Sequence, residues 1–140
     1  MTTKKHTVTK FENFCGLQIL ECLDSFYDIL ASSENTDKLM QDITELLAGN
    51  IGRNQYFARI TFEDKIFTST SFLETDLKLE HSINVNGNTK GQLEYFKNKS
   101  SEETGFLDEE MKMIELVSKG LGKGISNRNE EDRRRRYEKE

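Results

Sequence analysis

The chain has 140 residues, 34% of them hydrophobic and 32% charged, no proline and a formal net charge of −5. That length gives one domain with enough chain to bury a core, while so many charges require long solvated faces. No stretch approaches the ~18 apolar residues of a membrane span, Glu12, Asn13, Glu21 and Asp24 interrupt the segment where an export signal would need an apolar run, and acidic residues flank the run Arg133 to Arg136, so membrane insertion, export and a basic nucleic-acid surface are not expected and a cytoplasmic protein is.

Residues 1–8 are expected to be a disordered terminus. From Thr9 to about Ala31 the residues Phe11, Cys15, Ile19, Cys22, Phe26 and Ile29 recur at helical steps, and Phe14, Leu17, Leu20, Leu23, Tyr27 and Leu30 widen the stripe. So broad a face predicts burial against more than one neighbour, one of them a partner subunit. Cys15 and Cys22 would lie about 10 Å apart along that helix, too far to bridge each other. On an apolar face their thiols read as structural and inert, with redox sensing or haem ligation as the alternative. Thr36 or Asn35 can cap a second helix, with Leu39, Met40, Ile43, Leu46 and Leu47 on its apolar side and Gly49 and Gly52 at its end.

Alternation then predicts strands. Tyr56, Ala58, Ile60 and Phe62 share one face, and a turn at Glu63 and Asp64 leads into a hairpin partner. Leu77, Leu79, His81, Ile83 and Val85 form the next series, with Lys78, Glu80, Ser82 and Asn84 opposite. The turn that follows draws on the tolerance of Gly87 and Gly91 for positive φ, and the segment from Gly91 to Phe96 returns beside it. A last helix runs through Leu107, Met111, Ile114, Val117, Leu121 and Ile125, with Asp108 and Glu109 favouring its positive end. Gly120, Gly122 and Gly124 each disfavour it by up to ~1 kcal/mol, which means either fraying or a close backbone approach such as a dimer axis. Residues 129–140 read as a charged connector helix supported by Glu130–Arg134, Glu131–Arg135 and Asp132–Arg136 pairs.

Catalytic signatures are missing: there is no glycine-rich phosphate loop ending in Gly-Lys-Ser/Thr, no HExxH, no CxxC and no GxSxG, so an enzyme is not expected. With two histidines and two cysteines, a closed zinc site would be hard to assemble. His81 stands in an inward series, where it is either a hydrogen-bonded core or edge histidine or a ligand group facing a cavity. Phe57, Phe67, Phe72 and Tyr95 could line a small-molecule pocket over the sheet, with Glu74 and Thr75 at its mouth, or could be core packing. The cofactor is left open, haem or another small molecule being the candidates.

A motif order extends these readings. Glu74 and Thr75 are followed by Ile83, Val85 and Gly87, then Gly91, Leu93 and Glu94, then Gly105, Phe106, Leu107, Glu109 and Glu110, and finally Leu121, Gly122, Ile125 and Arg128. This order resembles the GAF-like sensory input domains that stand ahead of bacterial and archaeal histidine kinases in two-component signal transduction. The resemblance implies an α+β, GAF/PAS-like domain over residues 9–128, a central antiparallel sheet with N-terminal helices and a long C-terminal helix packed on one face. It further implies a non-catalytic sensory module for a small molecule or partner, a homodimer formed through Cys15, Ile19, Cys22, Phe26, Val117, Leu121 and Ile125, and an output protein, attached or separate. A free-standing adaptor without a ligand is the competing expectation.

Overall fold

A computed structural model describes residues 20–51, 54–98 and 105–139. Residues 20–32 are helical and are called α1 here; Cys15, Ile19 and residues 1–8 lie outside the described residues. Helix α2 spans Thr36–Leu47, and its N-cap is Asn35, whose side chain accepts from the Lys38 amide at 2.8 Å. Strands β1 (Gly49–Ile51), β2 (Asn54–Phe62), β3 (Lys65–Thr68), β4 (Leu77–Val85) and β5 (Asn88–Asn98) precede α3 (Asp108–Lys139).

All the pairings are antiparallel, and the order is β1-β2-β5-β4, with β3 also on β2. The five strands fill four positions, because β1 pairs with the start of β2 and β3 with its end. The expected α+β class and one-sided layering are present. Leu39, Met40 and Ile43 of α2, Ile114, Val117, Leu121 and Ile125 of α3 and Phe26 of α1 form one cluster with Tyr56, Ala58, Ile60, Ile83, Val85, Leu93 and Tyr95. The strand members alternate, as a sheet with one buried face requires.

The glycines of α3 do not mark fraying, since the helix continues to Lys139. A Cβ on Gly120 would stand 2.7 Å from the Phe26 ring, one on Gly124 2.7 Å from Leu30, and one on Gly122 only 2.0 Å from the backbone oxygen of Asn84. These are close approaches within the single chain, to α1 and to β4, and they account for the glycines without a second copy. Arg128 locks the same packing by donating to the Leu30 carbonyl at 2.6 Å. In the turn between β4 and β5, Asn86 and Gly87 take positive φ (53° and 80°), whereas Gly91 does not. Gly91 is instead a place where the Thr61 carbonyl would meet a Cβ at 2.2 Å.

Beyond Arg128 the described side chains up to Arg135 are exposed. Glu131 pairs with Arg135 at 2.9 Å as the spacing predicts, while Glu130 pairs with Arg133 at 2.7 Å, one position short of the expected Arg134. The side chain of Arg136 lies outside the described residues. The charged segment is thus the uninterrupted end of α3.

Candidate functional site on the open face of the sheet

The strand order forces one long crossing. Strand β3 lies beside β2 and β4 lies beside β5, so the chain between them must pass both central strands, a distance of roughly 14 Å at sheet spacing. The helices occupy one face, and residues 69–76 place Phe72 on the other. This segment is a strap across the open face. Its start is tied to α2: the Glu45 carboxylate accepts from the Thr70 amide at 2.7 Å and the Thr70 hydroxyl at 3.0 Å, and Gln41 donates to the Thr68 carbonyl at 2.9 Å. Buried Ser69 exchanges two hydrogen bonds with the Ala58 backbone, at 3.0 and 3.2 Å. Its end is tied to the sheet by Thr75, whose hydroxyl lies 2.9 Å from the Lys97 carbonyl and 3.0 Å from that of Leu77.

Beneath the strap stands a cation between two rings. The Arg59 guanidinium lies 5.3 Å from the centroid of Phe72 and 5.4 Å from that of Phe96, and the rings meet edge-on at 5.3 Å. Arg59 and Glu94 are directly opposite on β2 and β5 and form a two-pronged pair at 2.7 and 2.8 Å. Hydrogen bonding to Arg59 holds the Glu94 carboxyl below the usual carboxylate range, more than its burial raises it. Lys78 joins from β4, bridging to Glu80 and reaching Glu94 at 3.5 Å, and exposed Glu74 reaches Arg59 at 3.4 Å. Phe72, Arg59 and Phe96 thus pack on one another under the strap. A molecule binding there must lift Phe72 or replace its ring over Arg59.

The opposite face carries a buried ionic node at the entry to α3. Lys97 follows Leu93 and Tyr95 in the inward register of β5, and its ammonium, with no side-chain exposure, lies 3.0 Å from the Glu110 carboxylate. It also donates to the Gly105 carbonyl at 3.2 Å and stands 5.8 and 5.7 Å from the Tyr56 and Phe106 rings. Glu110 accepts from the Tyr56 hydroxyl and, at 2.7 Å, from the Leu107 amide. The last bond is half of a capping box, because the carboxylate at the third helical position reaches back to the residue before the helix. Lys97 thus meets the strap through its backbone and α3 through its side chain.

The sequence-derived pocket residues fall on two faces. Phe57, Phe72 and Glu74 belong to the open face, whereas Phe67, His81 and Tyr95 take the core face by register and Thr75 sits at the rim. They do not line one pocket. Tyr95 is buried and stacked on Tyr56 at 5.2 Å, and that burial pushes its phenol well above the ordinary value. His81 is half-buried on the core side of β4, and Phe67 packs at the rim of the core. Phe26, Val117, Leu121 and Ile125, expected at a dimer interface, are at most 4% exposed in the single chain, so a partner cannot reach them without opening the core. Cys22 packs against that core, and burial pushes its thiol up to about 11, which suits a structural thiol.

Sequence reasoning missed the roles of Arg59 and Lys97. In the sequence Arg59 only alternates with the inward set Tyr56, Ala58, Ile60 and Phe62, and its partner depends on the β2–β5 register. Lys97 did carry a signal: a lysine continuing an inward series calls for a buried acid, and Glu110 is the acid at the helix entry. No protein-family model matches the chain, and no curated protein matches it.

Proposed function

We propose that this chain is a non-catalytic regulatory input module that receives a small molecule or partner at the strap and passes the change to α3. The observation that carries the reading is Lys97, which bonds Thr75 of the strap through its carbonyl and Glu110 of α3 through its ammonium. Lifting Phe72 from Arg59 would shift the strap's anchor and hence the residue that holds the first turn of α3. That helix, roughly 48 Å long, leads into a solvated charged end suited to joining or touching an output module. An output of the histidine-kinase type belongs to the same reading and rests on the motif order. The receiving state must differ in ligand affinity from the closed one, since a ligand with equal affinity for both shifts nothing.

A second reading, an adaptor that binds protein through its helices, is favoured by Leu20 and Tyr27, which are 62% and 54% exposed on α1. One experiment separates the two: native mass spectrometry of the gently purified chain to find a retained molecule, followed by amide exchange with and without it. The input reading expects protection concentrated in residues 69–76 and the first turns of α3. Protection confined to α1 contradicts it and supports the adaptor.

A further inference from the structure

The two edges of the sheet differ. One is divided between β1 and β3, of three and four residues, while the other is the single nine-residue strand β4. The direction of the free groups on β4 follows from the register. Glu63 donates to the Lys90 carbonyl, so residues 90, 92, 94 and 96 of β5 turn their backbone groups toward β2, and residues 91, 93, 95 and 97 turn theirs toward β4. The matched β4 residues are Leu77, Leu79, His81 and Ile83, which leaves the amides and carbonyls of Lys78, Glu80 and Ser82 pointing away from the sheet. None of these six groups has a hydrogen-bond partner among the described residues. On the core side of this edge Leu77, Leu79 and His81 are only half-buried, whereas Ile83 and Val85, farther along, are buried.

We propose that two copies of this chain pair β4 against β4, antiparallel, with the two-fold axis beside Leu79. This goes beyond the regulatory reading and stands or fails independently of it. Charge selects the register. Centred on Leu79, the pairing sets Lys78 opposite the partner's Glu80 and Glu80 opposite the partner's Lys78, through backbone groups that already point outward. Centred on Glu80, it would set two carboxylates face to face, which disfavours a cross-strand pair. A centre nearer the end of β4 meets the irregularity between Ile83 and Asn84 and the close approach of Gly122 to the Asn84 carbonyl.

The Leu79 register also covers what the single chain leaves half-open, placing Leu79 against the partner's Leu79 and Leu77 against the partner's His81. A second copy therefore meets opposite charge on both sides of the axis, at Lys78 and Glu80, and apolar surface between them. The proposed contact is a strand edge and not the side chains of Phe26, Val117, Leu121 and Ile125, which are buried within the single chain.

Charge exchange tests the proposal. Sedimentation over roughly 5–500 µM should show the unaltered chain moving from monomer to dimer, as suits an interface of modest area. Lys78→Glu alone and Glu80→Lys alone should each remain monomeric, and mixing the two should restore a heterodimer, because each supplies the charge the other now lacks. Circular dichroism checks that both stay folded. If Lys78→Glu unfolds beside Glu94, Glu80→Pro serves in its place, since that amide points outward and its loss leaves the β4–β5 ladder whole; it should also be monomeric. An unaltered chain that stays monomeric throughout overturns the proposal. So do folded variants that dimerise like the parent, which would place the contact elsewhere or with a different partner surface.

Discussion

Replacing Gly122 with alanine should destabilise the fold by about 3 kcal/mol, even though alanine is by about 1 kcal/mol the better helix former. Two effects compete. In an isolated helix the propensity gain would decide the sign, but here the added carbon would stand 2.0 Å from the Asn84 oxygen and 3.0 Å from its carbonyl carbon. Those are backbone atoms of β4, part of a paired strand, and they cannot rotate aside as a side chain can. Either α3 withdraws from the sheet, loosening Leu121 and Ile125, or β4 distorts next to its irregularity at Ile83 and Asn84. A urea midpoint measured for Gly122→Ala should fall well below that of the parent. Gly105→Ala, where nothing lies within 4 Å of the new carbon, should change it little. Gly120→Ala should fall between them, because the obstacle is the ring of Phe26 and not backbone. A stabilised Gly122→Ala would show that α3 does not approach β4 this closely.

The second large effect is expected at Glu110. Its carboxylate serves the Lys97 ammonium, the Tyr56 hydroxyl and the Leu107 amide together, and it is 6% exposed. Glu110→Ala withdraws the acceptor from all three donors and leaves the Lys97 charge inside, so a loss of about 3–5 kcal/mol is expected. That is a large fraction of the ~5–15 kcal/mol stability of an ordinary domain. Converting both charges to apolar groups, Lys97→Met with Glu110→Leu, should destabilise less than the sum of the single changes, since no charge is then stranded. Chemical denaturation of the parent, Lys97→Met, Glu110→Leu and the double variant forms a double-mutant cycle. Additive losses would mean that Lys97 and Glu110 act independently.

Most of the architecture could be read in the chain because it rests on local periodicity. The series from Tyr56 to Phe62 and from Leu77 to Val85 each place one apolar set on one face, and the turn at Asn86 and Gly87 announces the hairpin between β4 and β5. The helix through Ile114, Val117, Leu121 and Ile125 follows from spacing alone. Strand order is different, because nothing local says that β5 inserts between β2 and β4. Without that order the segment from Ser69 to Asp76 reads as a polar loop, and its course over the open face, which sets Phe72 on Arg59, cannot be seen. The same gap merged the aromatics of two faces into one expected pocket. A broad apolar helix face was likewise readable as such, but whether α1 and α3 spend it on each other or on a second chain depends on tertiary packing; the glycines at 120 and 124 let them spend it on each other.

The central claim is that the strap and the start of α3 are joined through Lys97. Amide exchange of Phe72→Ala against the parent tests it most directly. Removing the ring from Arg59 should speed exchange in residues 69–76 and also in residues 110–118 of α3, while α2 and the later turns of α3 keep the parent's rates. Faster exchange confined to the strap and its neighbouring strands, with the first turns of α3 unchanged, would contradict the claim.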